Sequence, residues 1–279
     1  MKKKIFYIIR YSVLQHSNAW KISRETDFET YKKNLFSDER LNLKRSLFQT
    51  LTLPCLAEQE KSAEDYETEI VLLVSKQLPS EQLEKINSLQ QIVKFTVVEV
   101  DENESMYSKI TTFISSSVSQ STEDLLYATV RIDDDDLLAK GYESKLLDYL
   151  TLGNNNYLIS FPLGYESLIN TKDGEIAGVE YSKFSNYPKV ALGLAHIGFF
   201  NASLNKIESE KVHIYQTGKH TNVDERHTLI YDMTPDSYVE VAYALQDTRG
   251  EGFKNRTTDS ASIDLENLRK KFPPLDGIF

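Results

Sequence analysis

Four consecutive carboxylates, Asp133, Asp134, Asp135 and Asp136, follow directly on the apolar run Leu125-Leu126-Tyr127-Ala128-Thr129-Val130-Arg131-Ile132. Carboxylates this close repel one another and must be solvated, paired or neutralised by a cation. An oxygen-only set suits a hard divalent cation such as Mg2+ or Mn2+, which could in turn hold a diphosphate. The plainer alternative is an acidic turn before a helix starting near Leu137, because Asp is favoured at helix N-termini. One Asp satisfies that alternative, and four exceed it. Arg131 is either a counter-charge to the run or a ligand for what binds there. A second polar constellation, His220, Asp224, Glu225 and His227, lies in the irregular stretch 214–227.

The run needs an element that aims it. Residues 125–132 are rich in strand formers and read as a strand covered on both faces, with the carboxylates at its carboxyl end. In open α/β sheets ligands bind outside the carboxyl ends of the strands. Upstream, residues 5–9 and 69–74 are short apolar strands, and 92–100 is a third. Helices are expected over 40–59, interrupted at Pro54, over 79–89 and over 106–118. Residues 1–136 thus alternate strand and helix, which predicts a mainly parallel sheet with helices on both faces.

The second half departs from this rhythm. A helix over 142–152, a strand over 157–161 and a hairpin over 168–185 are expected. Residues 190–200 suit a strand or a short helix, and so do 235–245. The expected fold is α/β, with a mainly parallel central sheet flanked by helices and a smaller antiparallel or irregular C-terminal region. Residues 1–250 read as one domain, with 1–136 and 137–250 as its halves and 251–279 as a tail.

The chain has 279 residues and a net charge of −10, which argues against a general nucleic-acid binder. A single cysteine excludes an intrachain disulfide, and its apolar setting marks Cys55 as a buried core residue. Cytoplasmic residence is consistent with that usage. Residues 1–10 read as a first strand rather than a signal peptide, since Arg10 cuts the apolar run. No stretch approaches transmembrane length, which leaves peripheral membrane association as the form of membrane contact expected. Neither G-x-G-x-x-G nor G-x-x-x-x-G-K-[ST] occurs, which removes support for dinucleotide or P-loop chemistry. His196, in an apolar run, is expected to be a hydrogen-bonded core histidine.

Strand, Arg131-Ile132-Asp133-Asp134-Asp135-Asp136, then helix resembles the extended DxD motif of GT-A-fold glycosyltransferases. More narrowly it resembles a bacterial family of rhamnosyltransferase-like proteins. Ile9-Arg10-Tyr11-Ser12, Thr52-Leu53-Pro54-Cys55-Leu56 with Gln59, and Ser160-Phe161-Pro162-Leu163-Gly164-Tyr165 fit the same pattern. The resemblance implies a nucleotide-sugar donor held through a divalent metal, a glycan or glycolipid acceptor, and inversion. It implies ribose contact near Asp133 or Asp134, metal ligation at Asp135 with Asp136, and a nucleotide near Arg10, Tyr11 and Arg131. It also implies a distant metal or diphosphate ligand, for which His220 is the candidate. Asp224 and Glu225 are the candidate general bases, with Asp247 a weaker one. Two other functions compete. A sugar-phosphate nucleotidyltransferase would want a glycine-rich basic loop after strand one, and residues 11–18 hold neither glycine nor lysine. A non-catalytic cation- or carbohydrate-binding protein would use the acidic run only to hold Ca2+.

Overall fold

The computed structural model describes residues 1–16, 27–59, 66–172, 175–243 and 263–276. In chain order they form β1 (Lys2–Tyr11), α1 (Phe28–Leu35), α2 (Asp38–Leu47), α3 (Leu53–Ala57), β2 (Tyr66–Ser75), α4 (Ser80–Ser88), β3 (Thr96–Val100) and α5 (Met106–Val118). There follow β4 (Leu125–Asp133), β5 (Leu137–Leu138), α6 (Tyr142–Tyr149), β6 (Leu158–Ser160), β7 (Leu163–Lys172) and β8 (Glu175–Asn186). The chain continues with β9 (Ala195–Asn201), β10 (Lys206–Ile207), β11 (Leu229–Tyr231), β12 (Tyr238–Ala242) and α7 (Leu265–Lys271).

The large sheet runs β11-β6-β9-β4-β1-β2-β3, with β10 beside β9. Strands β3, β2, β1 and β4 are mutually parallel, as the alternation of the first half predicts. Antiparallel β9 then separates β4 from β6. A smaller sheet, β5-β12-β7-β8, carries the hairpin of the second half.

Side chains alternate across β1 and build two cores. Ile5, Tyr7, Ile9 and Tyr11 face one layer with Leu41 and Leu47 of α2, Ile86 of α4 and Leu146 of α6. Phe6 and Ile8 face the other, with Met106, Ile110, Ile114 and Val118 of α5. The spacing of those four explains why residues 106–118 form an amphipathic helix. Ser105 caps it by accepting from Ser108 N–H. The expected break at Pro54 takes the form of a π turn, Phe48–Thr52, which places the imino residue at the start of α3.

Two elements differ from expectation. No helix begins at Leu137: Leu137 and Leu138 form β5, paired to β12, and the helix starts only at Tyr142. The carboxylate run is therefore not a helix cap but a link between the two sheets. Within the stretch read as a tail, Leu268, Phe272 and Leu275 are fully buried in the same core as α2 and α6. Lys140 N–H donates to Lys271 C=O at 3.0 Å, which fixes α7 just beyond β5.

Candidate functional site

The site lies at the carboxyl ends of β1 and β4. Parallel pairing sets Arg10 opposite Asp133 and Ile8 opposite Arg131. Residues 131 and 133 share a strand face, and their partners in β1 share it too. Arg10 Nη2 donates to Asp133 Oδ1 at 2.8 Å, and Arg131 Nη2 stands 3.6 Å from Asp133 Oδ2. Both guanidinium groups flank Tyr215, at 5.4 and 5.6 Å from its ring centroid. Tyr215 sits on the 3-10 turn Ile214–Thr217, held to β4 by Ile214 N–H donating to Thr129 Oγ1 at 2.8 Å. Burial by itself would raise Asp133, but Arg10 and Arg131 hold it well below the usual carboxylate range.

Asp134, one residue on, turns to the other layer. Lys44 Nζ of α2 donates to Asp134 Oδ1 at 2.9 Å, with both side chains buried. Its other oxygen, Oδ2, is buried and has no hydrogen-bond partner among the described residues. Burial raises Asp134, and Lys44 works against that rise. Tyr11 lies beside the pair, 5.6 Å from Lys44 Nζ, and donates its hydroxyl to Leu41 C=O. Asp135 is buried beside it. Asp136 Oδ1 accepts Val241 N–H of β12 at 2.9 Å, so the run's last carboxylate is fastened to the small sheet.

The second constellation is reached through the segment leading into β9. Tyr187 N–H donates to Pro162 C=O, and Gly193 N–H donates to Arg131 C=O. Residues 187–193 thus run from the carboxyl end of β6 to that of β4. His220 Nδ1 donates to Lys189 C=O at 2.5 Å, which leaves Nε2 with the lone pair a ligand needs. Burial lowers its pKa, and the charges of Arg131 and Asp133 act on it in opposite directions. Asp224 is ion-paired with Lys189 at 3.1 Å. Glu225 is exposed and accepts from Asn222. Asp247 lies outside the described residues.

Lys44 and Tyr215 went unread in the sequence. Tyr215 carries no local signal. Lys44 does, because it occupies the apolar stripe of α2 between Leu41 and Leu47, where a charge needs a partner. His196 is buried as expected, yet neither ring nitrogen has a hydrogen-bond partner among the described residues.

A resident cation is a question of fit. Among the described residues no three His, Cys, Asp or Glu side chains converge on one point. Mg2+ and Mn2+ do not need such a cage, since they are typically held by one or two carboxylates with substrate phosphates and water. Asp135 and Asp136, both buried at the end of the run, are the two carboxylates that would hold such an ion.

No curated protein sequence matches the chain. Among solved structures it is similar to S. aureus TarS 1–349, described in complex with UDP, with a TM-score of 0.41 and 9% identity over 87% of this chain. It spans 61% of that protein's length. It is similar also to a protein described as a "Putative Glucose-1-Phosphate Thymidylyltransferase" from Bacillus anthracis, with a TM-score of 0.37 and 11% identity over 84% of this chain and 88% of that one. Likeness at these scores carries no argument about activity. A sequence family described as "Putative rhamnosyl transferase" matches residues 4–188, which hold Arg10, Tyr11, Lys44, Arg131 and the whole Asp run, while His220, Asp224 and Glu225 fall beyond the match. On that extent the chain belongs to the "Putative rhamnosyl transferase" family.

Proposed function

We propose that the protein moves a sugar from a nucleotide-sugar donor to a glycan or glycolipid acceptor during bacterial surface polysaccharide synthesis, with inversion and with a bound Mn2+ or Mg2+. One observation carries the reading: the Asp run ends a central strand between cationic partners and still offers a buried carboxylate oxygen without a partner among the described residues. A folding role alone leaves that oxygen unexplained.

In this reading Asp135 and Asp136 hold the cation, with His220 Nε2 as a further ligand to it or to the diphosphate. The cation supplies Lewis-acid stabilisation of the charge that builds on the leaving diphosphate. Asp133 and Asp134 receive hydroxyls of the nucleotide. Arg10 and Arg131, fixed around Asp133, set the nucleotide's place against Tyr11 and Tyr215. Asp224, or Glu225 beside it, takes the proton from the attacking acceptor hydroxyl. Asp224 is the better placed, because Lys189 joins it to the segment that also holds His220. No helix among the described residues is long and apolar enough to cross a membrane. A glycolipid acceptor would be met by peripheral contact from the cytoplasmic side.

The test is calorimetry and thermal shift with UDP, GDP, dTDP, CMP and their common sugar conjugates, with and without Mn2+, on the wild type and on Asp135→Ala. The expected result is metal-dependent binding of one nucleotide class that is lost in the variant. Metal binding with no nucleotide response would refute the reading and favour a cation-binding protein. Turnover of a nucleoside triphosphate with a sugar phosphate would favour a nucleotidyltransferase instead.

A further inference from the structure

Helix α2 makes three attachments to the carboxyl ends of the central strands. Arg40 Nη1 donates to Ser12 Oγ at 3.2 Å, Leu41 C=O accepts the Tyr11 hydroxyl at 3.3 Å, and Lys44 reaches Asp134. Ser12 itself adopts a left-handed backbone with φ of 50°, a strained state for a residue with a side chain. Such strain gathers where surrounding contacts hold the chain in one shape.

Among these attachments, the Lys44–Asp134 pair is the least accounted for by folding. An ion pair with side chains only 10% and 4% exposed seldom stabilises a fold more than apolar residues of equal volume would. Leu41, Leu43 and Leu47 already bury this helix. The pair also leaves Asp134 Oδ2 buried and without a hydrogen-bond partner among the described residues, a state that costs free energy until something fills it. Resting on the donor reading above, we infer that Lys44 is a positioning residue of the donor site. By occupying Oδ1 it fixes the Asp134 carboxylate and leaves Oδ2 as the acceptor for a hydroxyl of the nucleotide-sugar donor. Helix α2 is then a wall of the donor crevice, although it touches the reacting atoms only through Asp134.

The experiment uses the full chain with Mn2+ and three variants: Lys44→Met, Lys44→Arg, and Lys44→Met with Asp134→Asn. Binding of UDP, GDP, dTDP and their sugar conjugates is measured by calorimetry, and unfolding is followed in parallel. Lys44→Met should weaken the preferred ligand about tenfold or more, the usual scale for losing a charged hydrogen bond. Lys44→Arg, which keeps the charge and a donor, should recover most of that loss. The double variant removes the unpaired buried charge, so it should unfold no earlier than Lys44→Met and still bind weakly. Weakening already present with the bare nucleotide assigns the hydroxyl to the pentose, and weakening confined to the conjugates assigns it to the sugar. Wild-type affinity in Lys44→Met, or in the double variant, would overturn the inference and leave Lys44 a folding residue. A wild type that binds none of these ligands would overturn the donor reading and this inference with it, and the two failures are told apart by the wild type alone.

Discussion

Mild acid should loosen this protein, and two buried histidines are the reason. His196 on β9 and His213 at the head of the Tyr215 turn are both fully buried. Burial pushes His196 down to about 3 and His213 down to about 4. His213 Nε2 donates to Tyr107 C=O, so Nδ1, which has no partner among the described residues, is the nitrogen that would have to gain a proton in a dry setting. The unfolded chain protonates both near 6.5. Between pH 6.5 and about 4 the unfolded state therefore binds more protons, and stability falls as pH falls. At pH 5 each histidine contributes about 2 kcal/mol of loss relative to pH 7, so the two together give about 4 kcal/mol. That is a large part of an ordinary stability of about 5–15 kcal/mol and corresponds to a melting shift on the order of 10 °C. The assay is urea denaturation at pH 7, 6 and 5 on the wild type and on His196→Leu with His213→Gln. His220, lowered by burial, adds to the same slope, and Asp134, raised by burial, opposes it. Both are common to the two proteins, so the difference between them isolates the buried pair. The wild type should lose stability steeply and the double variant much less. Identical slopes for the two proteins would refute the reasoning. Because Ile214 N–H is bonded to Thr129, and Thr129 is the register partner of His196, the same protonation should loosen the turn that carries Tyr215.

Two glycines admit no side chain. A Cβ on Gly164 would stand 2.6 Å from the Tyr238 backbone oxygen, and one on Gly198 would stand 2.3 Å from the Tyr127 ring. Gly164→Ala and Gly198→Ala should each cost about 1–3 kcal/mol in a denaturant titration. Phe272→Ala should cost about 3–5 kcal/mol, because the ring is fully buried and packs edge-on against Tyr165. A smaller loss, near that of a surface substitution, would show that α7 is only loosely docked.

What could be read in the sequence was what local pattern controls. The four parallel strands are apolar runs, and α5 has an unbroken helical stripe, so nothing competed with either assignment. Leu137 and Leu138 follow Asp residues that favour a helix start, but pairing with β12, a hundred residues later, made them a strand. Residues 190–200 were ambiguous because β9 is inserted antiparallel between β4 and β6, a choice made by the sheet and not by the segment. In the candidate site, the Asp run and the two arginines were legible because strand register fixes them. Lys44 was legible in principle from its place in an apolar stripe. The closeness of Lys189 to His220 and Asp224 was not, since it depends on how residues 187–193 cross the sheet.

The carboxylate run also implies a rule about insertions. Three residues, Asp134, Asp135 and Asp136, carry the chain from the end of β4 to the start of β5. Asp133 faces two arginines, Asp134 faces a lysine, and Asp136 faces the backbone of β12. Although the side chains are identical, their neighbours are not, and every neighbour is anchored in a different element. Exchanging one Asp for Asn disturbs the attachments of that residue alone. Adding or deleting one residue shifts each carboxylate to a partner meant for the next one and turns β5 over as well. Spacing, more than acidity, is what this stretch of the gene has to preserve.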